Sequence, residues 1–557
     1  MLYAPLELNR PKLRIGVMLD GFQVPNWINE ILSDIANSDI AELTVAILND
    51  TPVAPAQSRL KRVLSGKAQI NNILYYRYVG FDNARHQQFA APFALKDVEH
   101  LFPARLAVRP VKTRFVDRFL QPDVASIKGL DLDVILRFGF NIIRGEILSA
   151  ARFGVWSYHH DDNNEYRGGP AQFWEIYEGN PVSGVVLQVL TEKLDAGHVI
   201  YRSYGATNSN IWLSQNKMEA YCKAASFVQR CLRRLYEHGA VPAETETGAY
   251  RKPIYRTPGN LQMLAFGVKS VMAGLKNRIR DRFQNGQWFI GYRRFVQTDS
   301  SLPSTDGFIH LNPPKGRFFA DPHVITWNGE DFIFFEDYSF EAGKGVISFV
   351  KIDNRGRATA PQLALEQSYH LSYPFLLQWN GQVYMVPETS QTKSVQLLRA
   401  KRFPDQWEFI SNLIEGYPAV DATLFEHGGR WFMFANISER GGSTWDELFL
   451  FVADTPLGPW RPHPQNPVKS DARSARPAGN LFRRGDRIIR PSQDCTNGYG
   501  SSVVFSEVDV LSDTDYREHR IGSIAATWAK NIAGTHTYSS NAALEAVDAL
   551  RYSFAFR

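Results

Sequence analysis

The sequence is short of cysteine, and it has no long uncharged apolar run. Three cysteines in 557 residues cannot form a disulfide framework, and their spacing is not that of a zinc site. No segment approaches the roughly 18 consecutive apolar residues of a membrane-spanning helix. The first residues include Glu7 and Arg10, which is unlike a signal peptide. We therefore predict a reducing, cytoplasmic location. The cysteines are Cys222, Cys231 and Cys495.

Neither sign of charge is in large excess. The net charge is only +5, from 62 Lys and Arg against 57 Asp and Glu. Because nucleic-acid binding needs basic residues gathered on one face, we predict no nucleic-acid partner. A hydrophobic content of 44% with 21% charged residues is typical of a globular protein, and the length favours two to four domains.

The first part of the chain alternates strands and helices. "LRIGVML" from Leu13, a helical pattern over about 26–35 and "LTVAIL" predict a β-α-β opening and a parallel sheet. Further strands are predicted at "DVILRFGF" (133–140), "FGVWSYHH" and "SGVVLQVL", with a helix-like stretch around 170–177 and a helix over about 215–238. We predict an α/β domain over 1–245. No G-x-G-x-x-G follows the first strand, which disfavours a dinucleotide site.

Residues 246–296 have a different pattern, which predicts a basic amphipathic helical linker. The stretch 260–283 carries five Lys or Arg residues against the single acidic residue Asp281. One interpretation is a connecting helix whose apolar face packs on a domain. The other is peripheral contact of 260–283 with an anionic membrane.

Residues 297–557 contain a repeat of about 50 residues. Each copy has a polar lead-in, an apolar strand, a turn rich in Gly, Asn or Asp, and a second aromatic-rich strand, as in "VDATLFEHGGRWFMFAN". Five copies predict a five-bladed β-propeller with the lead-in residues gathered at one mouth. Those residues are Asp321, Tyr373, Asp421, Arg476 and His536.

Polar residues follow an apolar strand in "WSYHHDDNNEYRGGP" (156–170), where open α/β sheets place ligands. Side chains alternate along a strand, so Ser157, His159 and Asp161 are predicted to share one face. A His oriented by a downstream Asp, here Asp195 of "LDAGHVI", is general-base machinery, and Ser157 could donate a hydrogen bond. Two alternatives stay open: a structural His159 with a coincidental Asp195, and a metal site. The metal ligands would be His159, His160, Asp161 and Asp162, but adjacent strand residues point to opposite faces, and we predict no metal.

These motifs resemble the folate-dependent formyltransferases over residues 12–240, most strongly over 133–200. The resemblance implies a Rossmann-like α/β fold, 10-formyltetrahydrofolate as formyl donor, and attack by a substrate amine. His159 and Asp195 fall on the catalytic His and Asp of that family. Ser157 falls on its catalytic Asn, so the oxyanion donor differs. The residues implied to contact the cofactor are Phe138, Gly139 and Phe140 beside the pterin, and Tyr166, Arg167 and Gly168 in the loop.

The second half resembles the propellers of arabinanase- and fructosidase-type glycoside hydrolases. It also resembles the N-terminal domain of glucosamine inositolphosphorylceramide transferases. The hydrolase pattern places Asp321 and Asp421 as carboxylates of a glycosidic site. The expected acidic residue of the fourth blade is replaced by Arg476, with Glu388 and Glu336 as substitutes. Arg476 and His536 favour an anionic sugar ligand; the alternative is that all these residues only close the propeller axis.

Together these patterns predict an enzyme of surface glycan biosynthesis. The first domain would formylate the amine of an amino sugar or nucleotide sugar, and the propeller would bind or act on a glycan. Formylation of tRNA is disfavoured, because a linker and a propeller replace the small β-barrel of those enzymes. One alternative is a glycoside hydrolase or glycosyl-transferring propeller with a degenerate, non-catalytic formyltransferase-like domain. Another is a non-catalytic carbohydrate-binding scaffold held at the membrane by the basic helix.

Overall fold

The computed structural model separates the chain into two compact units. One contains residues 5–272 and 440–442, and we call it the α/β unit; the other contains 1–4, 273–439 and 443–557, and we call it the propeller-like unit. The predicted boundaries at 245/246 and 296/297 lie outside the described residues and stay predictions. The described residues are 2–52, 70–113, 115–208, 212–242, 250, 252–295, 302–303 and 306–554, without the side chains of 276–285 and 553–554.

The α/β unit is built from short strands and helices in alternation. Its strands are β1 (Leu13–Leu19), β2 (Gln23–Pro25), β3 (Ala41–Asn49), β4 (Leu95–Asp97), β5 (Arg105–Val108), β6 (Val111–Lys112), β7 (Val116–Arg118), β8 (Val134–Arg137), β9 (Ile142–Arg144), β10 (Val155–His159), β11 (Val182–Val189) and β12 (His198–Ala206). Its helices are α1 (Asn26–Ala36), α2 (Ile73–Arg85), α3 (Gln121–Lys128), α4 (Phe173–Glu178), α5 (Leu213–Ala224) and α6 (Phe227–His238), and α7 (Asn260–Phe283) begins in it.

A seven-stranded sheet forms the centre of this unit, in the order β12-β11-β10-β8-β1-β3-β5. The strands from β10 to β5 are parallel, and β11 and β12 extend the sheet antiparallel. Helix α1 buries Trp27, Ile31 and Ile35, which recur every four residues and so share one helix face. The predicted β-α-β opening is confirmed. The carboxyl ends of β1, β8 and β10 meet at one edge, where ligands of open α/β sheets bind.

Two predicted helices have different limits in the structure. The helix expected over 215–238 is two helices, α5 and α6, because the chain turns at Ser226, whose hydroxyl donates to the carbonyl of Lys223 at 2.9 Å. The helix expected from Pro170 begins at Phe173. The reason is that Gln172 has a left-handed backbone, with φ of 62°, and donates its N–H to Asp161 instead of joining the helix.

The propeller-like unit is made of antiparallel strands. They are β13 (Gln284–Arg294), β14 (Ile309–Leu311), β15 (Arg317–Trp327), β16 (Glu330–Ser339), β17 (Lys344–Ile352), β18 (Gln362–Leu365), β19 (Ser372–Trp379), β20 (Gln382–Glu388), β21 (Ser394–Arg402), β22 (Gln406–Glu415), β23 (Ala419–His427), β24 (Arg430–Ile437), β25 (Glu447–Ala453), β26 (Arg461–Pro462), β27 (Lys469–Ser470), β28 (Phe482–Arg484), β29 (Arg487–Asp494), β30 (Ser502–Leu511), β31 (Tyr516–Ala525), β32 (Ile532–Gly534), β33 (Tyr538–Ser540) and β34 (Leu544–Phe554).

The described strands of this unit form successive antiparallel sheets. Four follow the chain, β15–β18, β19–β22, β23–β27 and β28–β31, and one combines β13 and β14 with β32–β34. The lead-in residues Asp321, Tyr373 and Asp421 have φ of 52°, 43° and 54°, each at a register shift of its first hairpin. A β-bulge therefore recurs at the same position of three sheets, and it takes this residue out of the regular hydrogen bonding between the two strands.

The predicted helical linker is wrong beyond Phe283. Residues Gln284–Arg294 are strand β13, which pairs with β34 along its whole length, from Gln284 opposite Phe554 to Arg294 opposite Leu544. The reason is the long-range partner: "QWFIGYRR" can satisfy its backbone groups against the end of the chain. None of the described helices has the length and apolar content needed to cross a membrane.

Candidate active site

Strand β10 brings Ser157 and His159 to the same face of the central sheet. His160, on the opposite face, lies flat on the ring of Tyr221, with ring centroids 3.7 Å apart and planes at 2°. Asp162 is bonded to Arg202. The four residues considered as metal ligands therefore point to different surroundings, as strand alternation dictates.

His159 is buried, and its tautomer is fixed by a backbone group. Its Nε2 donates to the carbonyl oxygen of Tyr166 at 2.6 Å, so Nε2 carries the proton and Nδ1 has a free lone pair when the ring is neutral. Nδ1 lies 3.8 Å from Oδ1 of Asp195, and Nε2 lies 3.8 Å from Oδ2 of Asp161. The ring is therefore held between two carboxyl groups with Nδ1 towards Asp195.

Asp195 is held in place by the glycine loop. Its Oδ2 accepts the N–H of Gly168 at 2.9 Å. Gly168 has φ of +102°, and a Cβ at this position would lie 2.1 Å from the carbonyl oxygen of Tyr255. Only glycine fits this conformation and this close approach, so Gly168 positions the Asp195 carboxylate.

Arg137, at the end of β8, is a site residue that the sequence analysis missed. Its Nη1 donates to Oγ of Ser157 at 2.9 Å, while Nε and Nη2 donate to the carbonyl of Asn141. Burial lowers the pKa of Arg137, and the nearby carboxylate of Asp195 opposes that effect. The site thus holds a guanidinium that is hydrogen-bonded to the Ser157 hydroxyl. The available signal was a single cation inside the apolar run "DVILRFGF".

Asp161 and Glu175 form a buried carboxyl pair, of which the sequence analysis had named only Asp161. Asp161 accepts the N–H of Gln172 at 2.6 Å, and neither carboxylate oxygen of Glu175 has a hydrogen-bond partner among the described residues. Burial raises the pKa of Glu175 to about 7, and burial together with Glu175 raises the pKa of Asp161. Burial thus favours the protonated form of this carboxyl pair, and Asp161 lies 3.8 Å from Nε2 of His159.

The segment Phe138–Phe140 crosses the end of β1. The N–H groups of Phe138 and Gly139 donate to the carbonyl of Met18 at 3.0 and 2.9 Å, and that of Phe140 donates to Asp20 at 3.0 Å. All three backbone donors are used within the protein. The carbonyl oxygen of Phe140 also has a partner within the protein, because it accepts a hydrogen bond from Nη2 of Arg137 at 3.2 Å.

The side chains of Tyr166 and Arg167 stabilise the loop whose backbone carbonyl binds His159. The Tyr166 ring is buried and its hydroxyl donates to Glu178, so only its backbone carbonyl reaches His159. Arg167 donates to the carbonyl of Asn163 at 2.8 Å and covers the ring of Tyr250 at 4.4 Å. Both side chains hold the loop in shape.

In the propeller-like unit, His536 lies between two carboxylates. Its Nε2 is 3.1 Å from Asp321 and its Nδ1 is 2.9 Å from Asp548. Despite burial, which lowers it, the two carboxylates raise the pKa of His536 to about 10. These three residues could also hold a metal ion by distance. Because both ring nitrogens already face carboxylates, we interpret the cluster as an ion triad.

A second buried ion cluster surrounds Arg476. Its Nε is 2.5 Å from Asp421 and its Nη2 is 3.6 Å from Glu388. Gln493 also donates to Asp421 at 3.1 Å, and the guanidinium lies 4.9 Å from the ring centre of Tyr499. Arg476 is therefore a buried counter-ion shared by a carboxylate of β23 and a carboxylate of β20.

The predicted mouth residues thus lie together. Tyr373 donates its N–H to Asp321 at 3.3 Å, which joins a third lead-in position to the triad. Among the residues that the structure describes, Glu336 has only His370 within ion-pair distance, at 3.6 Å. Burial, and next the charge of Asp321, raises the pKa of Glu336 well above its usual range. Sequence reasoning missed Asp548 and Gln493, which lie on second strands.

Comparison with known proteins relates two parts of the chain to transferases. The family model described as "Glucosamine inositolphosphorylceramide transferase 1, N-terminal" matches residues 310–540. Glucosamine inositolphosphorylceramide transferase 1 of Oryza sativa subsp. japonica is 34% identical over 206 residues, which are 36% of this chain and 28% of that protein. The methionyl-tRNA formyltransferase of Bacillus mycoides (strain KBAB4) is 30% identical over 110 residues, 20% of this chain and 32% of that protein.

The chain spans less than a third of the length of these curated relatives. Among solved structures, the family 117 glycoside hydrolase Zg3597 of Zobellia galactanivorans matches with a TM-score of 0.32 and 12% identity. It covers 48% of this chain and 91% of its own.

Proposed function

We propose that the α/β unit transfers a formyl group from 10-formyltetrahydrofolate to the amine of an amino sugar, free or nucleotide-linked, in surface glycan biosynthesis. The observation that carries this proposal is the convergence of Ser157, His159 and Asp195 with Arg137 at the carboxyl ends of β8 and β10. The similarity of 110 residues to a methionyl-tRNA formyltransferase supports it.

When bound, 10-formyltetrahydrofolate supplies a formyl group that an amine can attack. The chemistry of the residues fits this group: backbone carbonyl acceptors at Phe138 and Gly139 would suit the N–H donors of its pterin, and Ser157 and Arg137 form a polar cluster nearby. Ser157 and Arg137 bring an O–H, N–H donors and positive charge, which stabilise negative charge developing on an oxygen. Nδ1 of His159 accepts a hydrogen bond or a proton, and Asp195 stabilises the ring when it is protonated.

The proposed substrate class rests on the relatives that match the propeller-like unit. The relatives matched by residues 310–540 are named for transfer of glucosamine, which is itself an amino sugar. An initiator tRNA is disfavoured as acceptor, since the α/β unit is followed by α7 and antiparallel sheets. We therefore propose a small-molecule amino sugar as partner and no nucleic acid. The cytoplasmic location stays a prediction from the three cysteines.

For the propeller-like unit we propose five blades, with the fifth closed by β13 and β34, and a glycan bound at the mouth. The alternative, a glycoside hydrolase or glycosyl-transferring enzyme with a non-catalytic α/β unit, would use Asp321, Asp421 and Glu336. However, Asp321 is paired with His536 and Asp421 with Arg476, so both carboxylates already balance a buried cation within the protein. These pairs support the role of holding the mouth in shape.

The first experiment is calorimetric titration of the full chain with 5-formyltetrahydrofolate, a stable folate analogue. We expect saturable binding that is weakened in His159→Ala and unchanged in His198→Ala, a control on the exposed start of β12. Such binding would justify a screen of amino-sugar nucleotides as acceptors. Absence of binding at millimolar folate by a folded chain would sink the formyl-transfer proposal and redirect the search to the propeller-like unit.

A further inference from the structure

Helix α7 packs against the α/β unit with one face only. Met263, Phe266 and Ser270, three and four residues apart, are buried. Phe266 lies 5.4 Å from the ring centres of both Tyr78 and Phe173. The helix is therefore fixed to the unit by an aromatic cluster, and the interpretation of 260–283 as a packed helix holds for this face.

The opposite face of α7 is apolar and exposed. At about 100° per residue, six large side chains fall within an arc of about 100°. Their exposed fractions lie between 57% and 82%, although they are all aliphatic or thioether side chains. We call them the apolar stripe: Leu261, Leu264, Val268, Val271, Met272 and Leu275.

The stripe belongs to a strongly cationic helix. Residues 260–283 contain Lys269, Lys276, Arg278, Arg280 and Arg282 against Asp281 alone, and no acidic residue occurs before position 281. Of these basic side chains, Lys269 is described, and its ammonium lies 3.4 Å from the carbonyl of Tyr177; the others lie outside the described side chains. A contiguous apolar patch on a cationic helix has the composition of a helix that binds in the plane of an anionic membrane.

We propose that the apolar stripe docks this protein on an anionic membrane surface. The stripe enters the boundary between headgroups and acyl chains, and the basic residues of 260–283 attract the anionic headgroups. Because the buried face of α7 packs on the cluster that contains Tyr166, docking places the His159 loop close to the membrane. The proposal is independent of formyl transfer and uses none of the site residues.

The test is sedimentation of the full chain with vesicles of phosphatidylcholine alone or with about one third phosphatidylglycerol. We expect binding to the anionic vesicles only, and a decrease as salt screens the charges. The double variant Leu264→Gln with Val268→Gln should bind about tenfold more weakly, because it removes apolar area from the stripe. Both positions are exposed, so the fold should be retained, as circular dichroism would show.

The matched control is Leu95→Gln with Leu363→Gln, two exposed leucines outside α7, and it should bind like the wild type. Three results would overturn the proposal. The first is a wild type that stays in the supernatant with anionic vesicles. The second is equal binding of the stripe variant and the wild type. The third is a wild-type dimer in light scattering that the stripe variant loses, which would assign the stripe to a second copy of the chain.

Discussion

Nη1 of Arg137 donates to Oγ of Ser157 at 2.9 Å, which joins the ends of two neighbouring parallel strands by a charged hydrogen bond. Ser157 is the position where the formyltransferase resemblance expects an Asn. Under the proposed formyl transfer, Arg137 therefore supplies a cation beside the position of that Asn.

This pair predicts a non-additive double-mutant cycle. If formyl transfer is the reaction, Arg137→Ala should lower kcat on the order of 10²-fold, as loss of an oxyanion donor does. Adding Ser157→Asn to that variant should restore most of the rate, because the amide supplies the missing donor. Steady-state formation of tetrahydrofolate measures both. The exposed Arg152→Ala is the control, and a double variant no faster than Arg137→Ala would contradict the interpretation.

Gly168→Ala should destabilise the α/β unit by about 3 kcal/mol or more. The added Cβ must enter a left-handed backbone and approach the carbonyl of Tyr255 to 2.1 Å, which forces the loop to move. It should also weaken folate binding, since Asp195 loses its N–H donor. Gly267→Ala, in α7 with nothing within 4 Å of the new Cβ, should instead raise the thermal midpoint slightly. Equal midpoints for the two variants would count against the loop geometry.

The His536 triad predicts a pH-dependent stability. The folded pKa of about 10 lies above the ordinary 6.5, so the folded state binds the extra proton between these values. The stabilisation is full below pH 6.5 and is lost as the pH rises through 10. His536→Gln should cost about 3–5 kcal/mol at pH 6, as loss of one partner of a buried ion pair does. Thermal midpoints at pH 6 and pH 10 measure the effect.

The difference in thermal midpoint between the wild type and His536→Gln should be smaller at pH 10 than at pH 6. His100→Gln, at an exposed position of the α/β unit, is the control and should show no such change. If the difference in thermal midpoint is the same at pH 6 and at pH 10, His536 is neutral in the folded protein.

Glu175 predicts the behaviour of a buried acid. Its folded pKa of about 7 lies above the ordinary 4.5, so the folded state holds a proton that the unfolded chain releases between these values. Its contribution is full below pH 4.5 and is lost as the pH rises through 7, for a total of up to about 3 kcal/mol. Glu175→Gln should flatten the dependence of the free energy of unfolding on pH between 5 and 8. Exposed Glu237→Gln should leave the slope as in the wild type.

Short-range patterns predicted most strands and helices of the α/β unit, and they brought His159 and Asp195 into one candidate site. Apolar runs such as "LRIGVML" and the alternation at Ser157 and His159 depend only on neighbours along the chain, so their periods can be read directly. The repeat of 297–557 could also be recognised in the sequence, because each copy carries its own Gly or Asn turn, as at Asn328-Gly329 and Asn380-Gly381.

Contacts between residues that are far apart in the sequence could be identified only in the folded protein. Strand β13 was assigned to a helical linker because its partner, β34, lies about 260 residues further along. Arg137 and Asp548 gain their roles from Ser157 and His536, which pattern reading cannot bring together. The exposed stripe of α7 needed the fold as well, because the sequence shows apolar residues around the helix but not which of them the aromatic cluster covers.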